Sequence, residues 1–258
     1  MEVTFENSSG ICSSAILKLY DRRFGTNLRS GEDGKYSPCR SQDEAAYQSF
    51  LRQGKMGPFL EELEEEYRTA LIPPVAYEFS EDEDRPDGRH VEATARFEAA
   101  LWYEADQHFK DEAEAYQRLG DLQGESIPRV YAHSNSEDYL SVNGILIEKI
   151  QGFNLRDLAT FLPVPSDYAE WTAIVQRAVD TAHEVNKRGI ILLDSGPRNV
   201  MVDLDSKTPF IIDLAQCYFK DRMFDLWEKL GWGEDDGDGN EDEDDEDPWY
   251  AEVGTGTR

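Results

Sequence analysis

Apolar and polar positions along this chain fall into a few periodic stretches. Residues 11–20, ICSSAILKLY, read as a strand. Residues 21–41 are rich in Gly, Ser and charge and read as a loop. Residues 42–70 predict one helical stretch with an acidic face. Paired prolines and the charge run SEDEDRPDG then break the pattern. A long helix is expected over 91–122, where Phe97, Leu101, Phe109, Tyr116 and Leu119 recur near helical spacing and Gly124 and Pro128 follow as stops. Gly144 to Ile150 predicts a strand, with a turn at Gly152. Helices are expected over 154–161 and 166–188, the second opened by a Ser-Asp cap and closed by Gly189. Two short apolar strands, 200–202 and 210–212, are joined by the turn DLDSKTP, and a last helical piece covers 219–230. There is no internal repeat.

Composition changes this picture in two ways. At 258 residues and 39% hydrophobic, the chain can bury a sizeable core. No stretch approaches 18 consecutive apolar residues, and MEVTFENSSG has no basic region followed by an apolar core, so neither a membrane span nor a secretory signal is expected. Cys12, Cys39 and Cys217 are too few and scattered for a disulfide framework or a zinc cluster, which points to a reduced intracellular setting, cytoplasmic or nuclear. The formal charge of −28 repels nucleic acid and anionic membranes, so neither is expected as a partner. Residues 234–247 hold 11 acidic side chains and read as a disordered tail. A calcium loop started from Asp236 would have Glu241 where it needs Gly. The four histidines show no ligand spacing.

Candidate chemistry gathers at the hairpin 200–212. Asn199 stands just before its first strand and Asp213 just after its second, and in an antiparallel pair those outer ends are neighbours. Asp194 lies five residues upstream on the same loop. Two carboxylates and an amide oxygen would then converge, hard ligands of the kind that suit Mg²⁺ together with substrate phosphates. On the strand ILKLY, apolar residues on both sides of Lys18 predict a strand covered on both faces, where a charge needs a partner.

Asp-x₄-Asn, a short hairpin, and an Asp after an apolar strand together resemble the catalytic and metal loops of the protein-kinase-like superfamily. ILLDSGPRN aligns with the catalytic loop, and FIIDLA with the Asp-Phe-Gly stretch. LKLYDRRFG, DEAEAYQRL and DSGPRNVMV narrow the likeness to fungal protein-kinase-like domain proteins, over roughly residues 11–230. The resemblance implies an α+β, two-lobed protein-kinase-like fold. Its parts would be a small lobe with a helical insertion (1–150, the insertion about 25–90), a reduced large lobe (151–232) and an acidic tail (233–258). It further implies ATP and Mg²⁺ as cofactors. Lys18 would contact the phosphates, and Glu112 would pair with that lysine, with Glu114 as the fallback. Glu148 and Ile150 fall where the family's hinge holds adenine through its backbone, Asp194 matches the catalytic aspartate, and Asn199 and Asp213 match the metal ligands.

The departures bear on activity. Leu192-Leu193 replace the family's His-Arg, Gly196 replaces a phosphate-contacting lysine, and the metal loop reads Asp213-Leu214-Ala215. Arg198 stands near enough in sequence to substitute for that lysine, its direction being open. The nucleotide-covering loop is reduced to Gly10, and the first small-lobe strand is missing from the resemblance. More than 90 residues separate Lys18 from Glu112, and 45 follow Asp213. The first expectation is a phosphotransferase acting on a protein or small-molecule hydroxyl. The alternatives are a pseudokinase that binds nucleotide or a partner without transfer, and an acidic protein that binds basic partners through its tail.

Overall fold

Why the hydrophobic face of Cys12–Tyr20 is buried, and what buries it, decides the architecture. The computed structural model describes residues 1–6, 12–24, 29, 36–69, 89–134, 136, 138–157 and 168–223. The account below concerns the unit Met1–Lys220. Within it the fold is mixed α+β, its described residues forming three small antiparallel sheets and four α-helices.

The largest sheet has the order β1-β2-β4-β3. Its strands are β1 (Glu2–Glu6), β2 (Cys12–Tyr20), β3 (Val130–Ser134) and β4 (Asn143–Glu148). β2 and β4 match the apolar runs in the sequence, although β4 stops at Glu148 rather than Ile150. Glu2–Glu6 forms a strand where the apolar pattern was too sparse to predict one, pairing Val3 with Ala15 along β2. β3 was not foreseen either, because four of its five residues are exposed and its edge position leaves little hydrophobic signal.

Side chains on β2 alternate between two faces. Ile16 and Tyr20 pack against the main core, which places Lys18 between them on the same face. Leu19, pointing the other way, is 52% exposed. At its Leu19 end the strand is therefore covered on one face, whereas Ala15, on the same side as Leu19, is fully buried.

What covers it is α3 (Arg89–Arg118), 30 residues long and hence about 45 Å. Its C-terminal half supplies Phe109, Ala115 and Tyr116, joined by Leu119 just past its end, to a core shared with Ile145 and Ile147 of β4 and with Val185, Ile190, Ile211 and Leu214. Its N-terminal half supplies Ala95 and Ala99 to a second core with Tyr47, Phe50, Met56, Phe59 and Leu63. Those partners come from α1 (Ser41–Arg52) and α2 (Met56–Thr69). The sequence predicted one helix there. Gly54 divides it, at a φ of +68° that no continuing α-helix can accept. Asp43 begins α1 properly by accepting a bond from the Arg40 N–H at 2.8 Å.

After β4 the chain makes β5 (Gly152–Asn154), and a 3-10 turn follows at Leu155–Asp157 where a helix was expected. The rest of that expected helix lies outside the described residues, as does the acidic tail. Gly152 is not a turn glycine. A Cβ there would sit 1.8 Å from the Val202 carbonyl oxygen, so its role is to let β5 close on its neighbour. α4 (Tyr168–Lys187) agrees with expectation and leads into β6 (Ile190–Leu192). The predicted hairpin is present as β7 (Val200–Asp203) and β8 (Pro209–Ile211), with Val200 opposite Ile211. β9 (Cys217–Phe219) pairs with β6 and takes the first residue of the expected last helix; residues 220–223 are helical, and 224–230 lie outside the described residues. No helix among the described residues is long and apolar enough to cross a membrane.

Candidate functional site

Lys18 reaches from β2 across the sheet face to α3. Its Nζ lies 2.6 Å from each carboxylate oxygen of Glu112, whose side chain is fully buried. The Tyr20 hydroxyl, two residues further along the same face, also donates to Glu112, and the Leu214 N–H approaches its Oε1 at 3.4 Å. Burial costs a carboxylate its hydration, and this set of donors is what makes a buried one tenable. Glu114, the fallback partner, instead bonds Arg118 one turn along the helix, at 3.0 Å.

Lys18 does not end at Glu112. Its Nζ also donates to Asp213 Oδ1 at 2.9 Å, and Asp213 is 42% exposed. Burial would lower the lysine's pKa, but the charges of Glu112 and then Asp213 outweigh it and hold the ammonium above its ordinary range. Burial raises the Tyr20 phenol, and the Glu112 charge raises it further, so the hydroxyl stays a donor.

The hairpin closes the second half of the site. The Ile212 N–H donates to the Asn199 carbonyl at 2.9 Å, so Asn199 and the residue before Asp213 are bonded neighbours. Asn199 ends the 3-10 turn Pro197–Asn199, and its Nδ2 donates to the Asp194 carbonyl at 2.9 Å. That commits the amide nitrogen and leaves the amide oxygen without a donor among the described residues. The Asp194 carboxylate is bonded by the Arg198 guanidinium. Arg198 gets there across Gly196, where a Cβ would stand 3.0 Å from Nη1. Gly196 has ordinary extended angles (φ −72°, ψ 156°), so it provides room rather than an unusual backbone. Asn154 fixes the loop from outside, its Nδ2 bonding the Arg198 carbonyl at 2.6 Å.

Five of the residues singled out in the sequence thus fall into two bonded groups. Lys18, Glu112 and Asp213 are in direct contact, and Asp194 is bonded to Asn199 through its backbone. The hinge residues fare differently. The Glu148 N–H goes to the Arg129 carbonyl at 2.8 Å, and its carboxylate takes the Arg129 guanidinium at 3.0 Å. It has no N–H left to offer an adenine. Ile150, beyond the end of β4, has no hydrogen-bond partner among the described residues. Tyr20 was missed by the sequence reading, although its position two residues after Lys18 on a strand was the available signal.

The donor set suits a hard cation. Asp213 Oδ2 and the Asn199 amide oxygen are both uncommitted among the described residues, and both are oxygens of the type Mg²⁺ takes. No family model matches the chain, and no curated protein matches it. Among solved structures it is similar to the bifunctional kinase–methyltransferase WbdD, at a TM-score of 0.33 and 20% identity. The match covers 50% of this chain and 29% of that one, a likeness too slight to assign a family or a shared fold.

Proposed function

We propose that this chain is a kinase-like phosphotransferase that moves the terminal phosphoryl group of ATP to a hydroxyl of a protein or small molecule. The observation that carries it is Lys18 held between a fully buried Glu112 and a half-exposed Asp213. A lysine fixed in this way presents a positive charge at one defined point, and the adjacent carboxylate presents a negative one. Phosphoryl transfer asks for little else: positioned charge for the phosphates, oxygen ligands for a metal, and a base to orient the acceptor.

Asn199 and Asp213 would hold Mg²⁺, which when bound neutralises phosphate charge. Lys18 would bind the phosphates, with Glu112 and Tyr20 keeping it in place. Ile150 would offer its N–H to the base. Arg198, lying over Gly196, supplies the cation that the family's lysine supplies elsewhere. Moving onto phosphate, it frees the Asp194 carboxylate to accept a hydrogen bond from the acceptor hydroxyl. A two-lobed kinase-like arrangement accommodates these roles, with β1–β4 and α3 on one side of the nucleotide and the β7–β8 hairpin on the other.

The Arg198–Asp194 ion pair also favours a second reading, a nucleotide-binding module without transfer, in which the pair never opens. One experiment separates the two. Purified protein with ATP and Mg²⁺ is expected to melt at a higher temperature, in proportion to ligand concentration over Kd, and Lys18→Met to lose that shift. ADP release is expected from the native chain and not from Asp194→Asn. A shift without any ADP above the Asp194→Asn background leaves the binding module. No shift at all removes both.

A further inference from the structure

Helices α1 and α2 belong to the insertion between Lys18 and Glu112, to which the proposed function gives no role. A second buried glutamate on α3 connects them to the site. Glu98 is 1% exposed, and its two oxygens accept from Arg29 Nη2 at 2.7 and 2.6 Å. Arg22 donates to it as well. Both arginines are themselves buried, at 3% and 6% exposure. Arg29 Nε binds the Arg22 carbonyl at 2.8 Å, which ties the loop back onto the end of β2. Arg22 continues to α1, where it bonds Glu44 and lies 3.9 Å above the Tyr47 ring.

Lys18, Tyr20 and Arg22 alternate along one strand and its extension, and all three reach α3 or its partners. Glu98 and Glu112 are 14 residues apart, nearly four helical turns, so they share approximately one side of α3. Between them Asp106 adds a polar tie to the sheet, accepting from Asn143 at 3.2 Å. Hydrophobic contacts alone would let a 30-residue helix shift along the sheet at modest cost. Two guanidiniums, each giving one nitrogen to Glu98 and another to the Arg22 carbonyl or to Glu44, fix a single register through directional, charge-assisted bonds. A buried ion cluster is weak evidence for stability, and fixing register is its best-attested use. The grouping of Cys39, Asp43 and Glu98 within 4.8 Å could be taken for a metal site, but Glu98 is consumed by arginine and Asp43 caps α1.

We infer that the Arg22–Glu98–Arg29 cluster, closed onto α1 through Glu44, is a remote clamp that sets the position of α3 along β2 and so keeps Glu112 on Lys18. Arg22, Glu98 and Glu44 are positioning residues, acting through Glu112, and the helical insertion is the body that holds them. The consequence for nucleotide binding rests on the proposed function; the geometric claim does not.

The test uses Glu98→Gln with two readouts. One is the distance between spin labels on the native, exposed Cys12 of β2 and on Lys110→Cys of α3, with Cys39→Ser to keep labelling specific. The other is affinity for ATP beside affinity for adenosine, which has no phosphates for Lys18 to bind. The clamp requires a shifted or broadened distance distribution in Glu98→Gln, about tenfold weaker ATP binding, and adenosine binding within twofold of native. A native distance distribution overturns the inference. So does an equal loss of ATP and adenosine affinity, which marks a general structural defect. If the native chain binds no ATP, the proposed function fails and the distance alone decides the clamp. Should Glu98→Gln not fold, Glu44→Gln neutralises the carboxylate that Arg22 meets on α1 while leaving the Tyr47 contact, and the same readouts apply with a loss of about threefold in ATP affinity.

Discussion

Two glutamates on one helix are buried to the same extent and do opposite things. Glu98 is enclosed by two arginines that are themselves buried, so its charge is sealed, although Arg22 runs on to Glu44, which is 28% exposed. Glu112 is enclosed by a tyrosine and a lysine, and the lysine is 23% exposed and shared with Asp213 at the surface. The difference lies in the cation. Arg22 and Arg29 divide their donors among Glu98, Glu44 and the Arg22 carbonyl, while the lysine's ammonium shares its three donors between Glu112 and the half-exposed Asp213. A sealed pair fixes geometry. An open pair keeps a charge available to something that arrives from solvent.

Removing the acids separates these roles most sharply. Glu98→Leu strands two buried guanidiniums, Arg22 keeping Glu44 and Arg29 keeping the Arg22 carbonyl, and a loss of about 3–5 kcal/mol in unfolding free energy is expected. Glu112→Leu leaves Lys18 paired with Asp213 and partly hydrated, so a smaller loss of about 1–3 kcal/mol is expected. The order matters more than the values, and urea unfolding of both variants measures it. Equal losses would mean that the Lys18 end is as sealed as the Arg22 end and would end the contrast. With ATP added, the Glu112 variant is expected to lose any ligand-dependent stabilisation, because Lys18 is then drawn to Asp213 without the buried carboxylate that aims it.

The two glutamates were not equally visible in the sequence. Glu112 was singled out because its surroundings, DEAEAY, match a family pattern. Periodicity alone does not distinguish it from Glu114, and the contact with Lys18 is what does. Glu98 carried no signal at all. It is one acid among many on a helix whose polar positions look solvated, and its partners are 69 and 76 residues upstream in a Gly- and Ser-rich stretch that reads as a loop. The hydrophobic residue beside it, Phe97, was taken for core and is only partly buried. For the fold, α4, β2 and the β7–β8 hairpin were legible because each has a strong apolar run of the right length. β3, β5, β6 and β9 have three to five residues each, and pairing rather than composition makes them strands.

A finer cut falls on Tyr20, which belongs to the open pair but is not a cation. Tyr20→Phe keeps the ring, and with it the edge contact to Phe109 at 5.5 Å, and deletes only the hydroxyl on Glu112. Lys18 and the Leu214 N–H remain as donors, so a cost of about 1 kcal/mol is expected. If the cost instead equals that of Glu112→Leu, the phenol and not the lysine is what makes the buried carboxylate tenable.

The smallest effect uses His108, a titrating neighbour of the open pair. Burial lowers its pKa from the ordinary histidine value, Asp213 opposes that shift, and Lys18 adds to it. A base whose folded pKa is depressed favours the neutral form in the native state. Its contribution is therefore present above the unfolded histidine value of about 6.5 and is lost as pH falls from there through the folded value. Native protein is expected to lose more stability than His108→Gln between pH 7.5 and the onset of carboxylate titration. Asp213→Asn removes the one group that opposes the shift, so the imidazole should titrate lower still, as followed by its ring proton resonances. If Asp213→Asn leaves that titration where it was, Asp213 is screened by solvent too well to act on its neighbours. Its influence would then stop at the Lys18 ammonium, which it bonds directly at 2.9 Å.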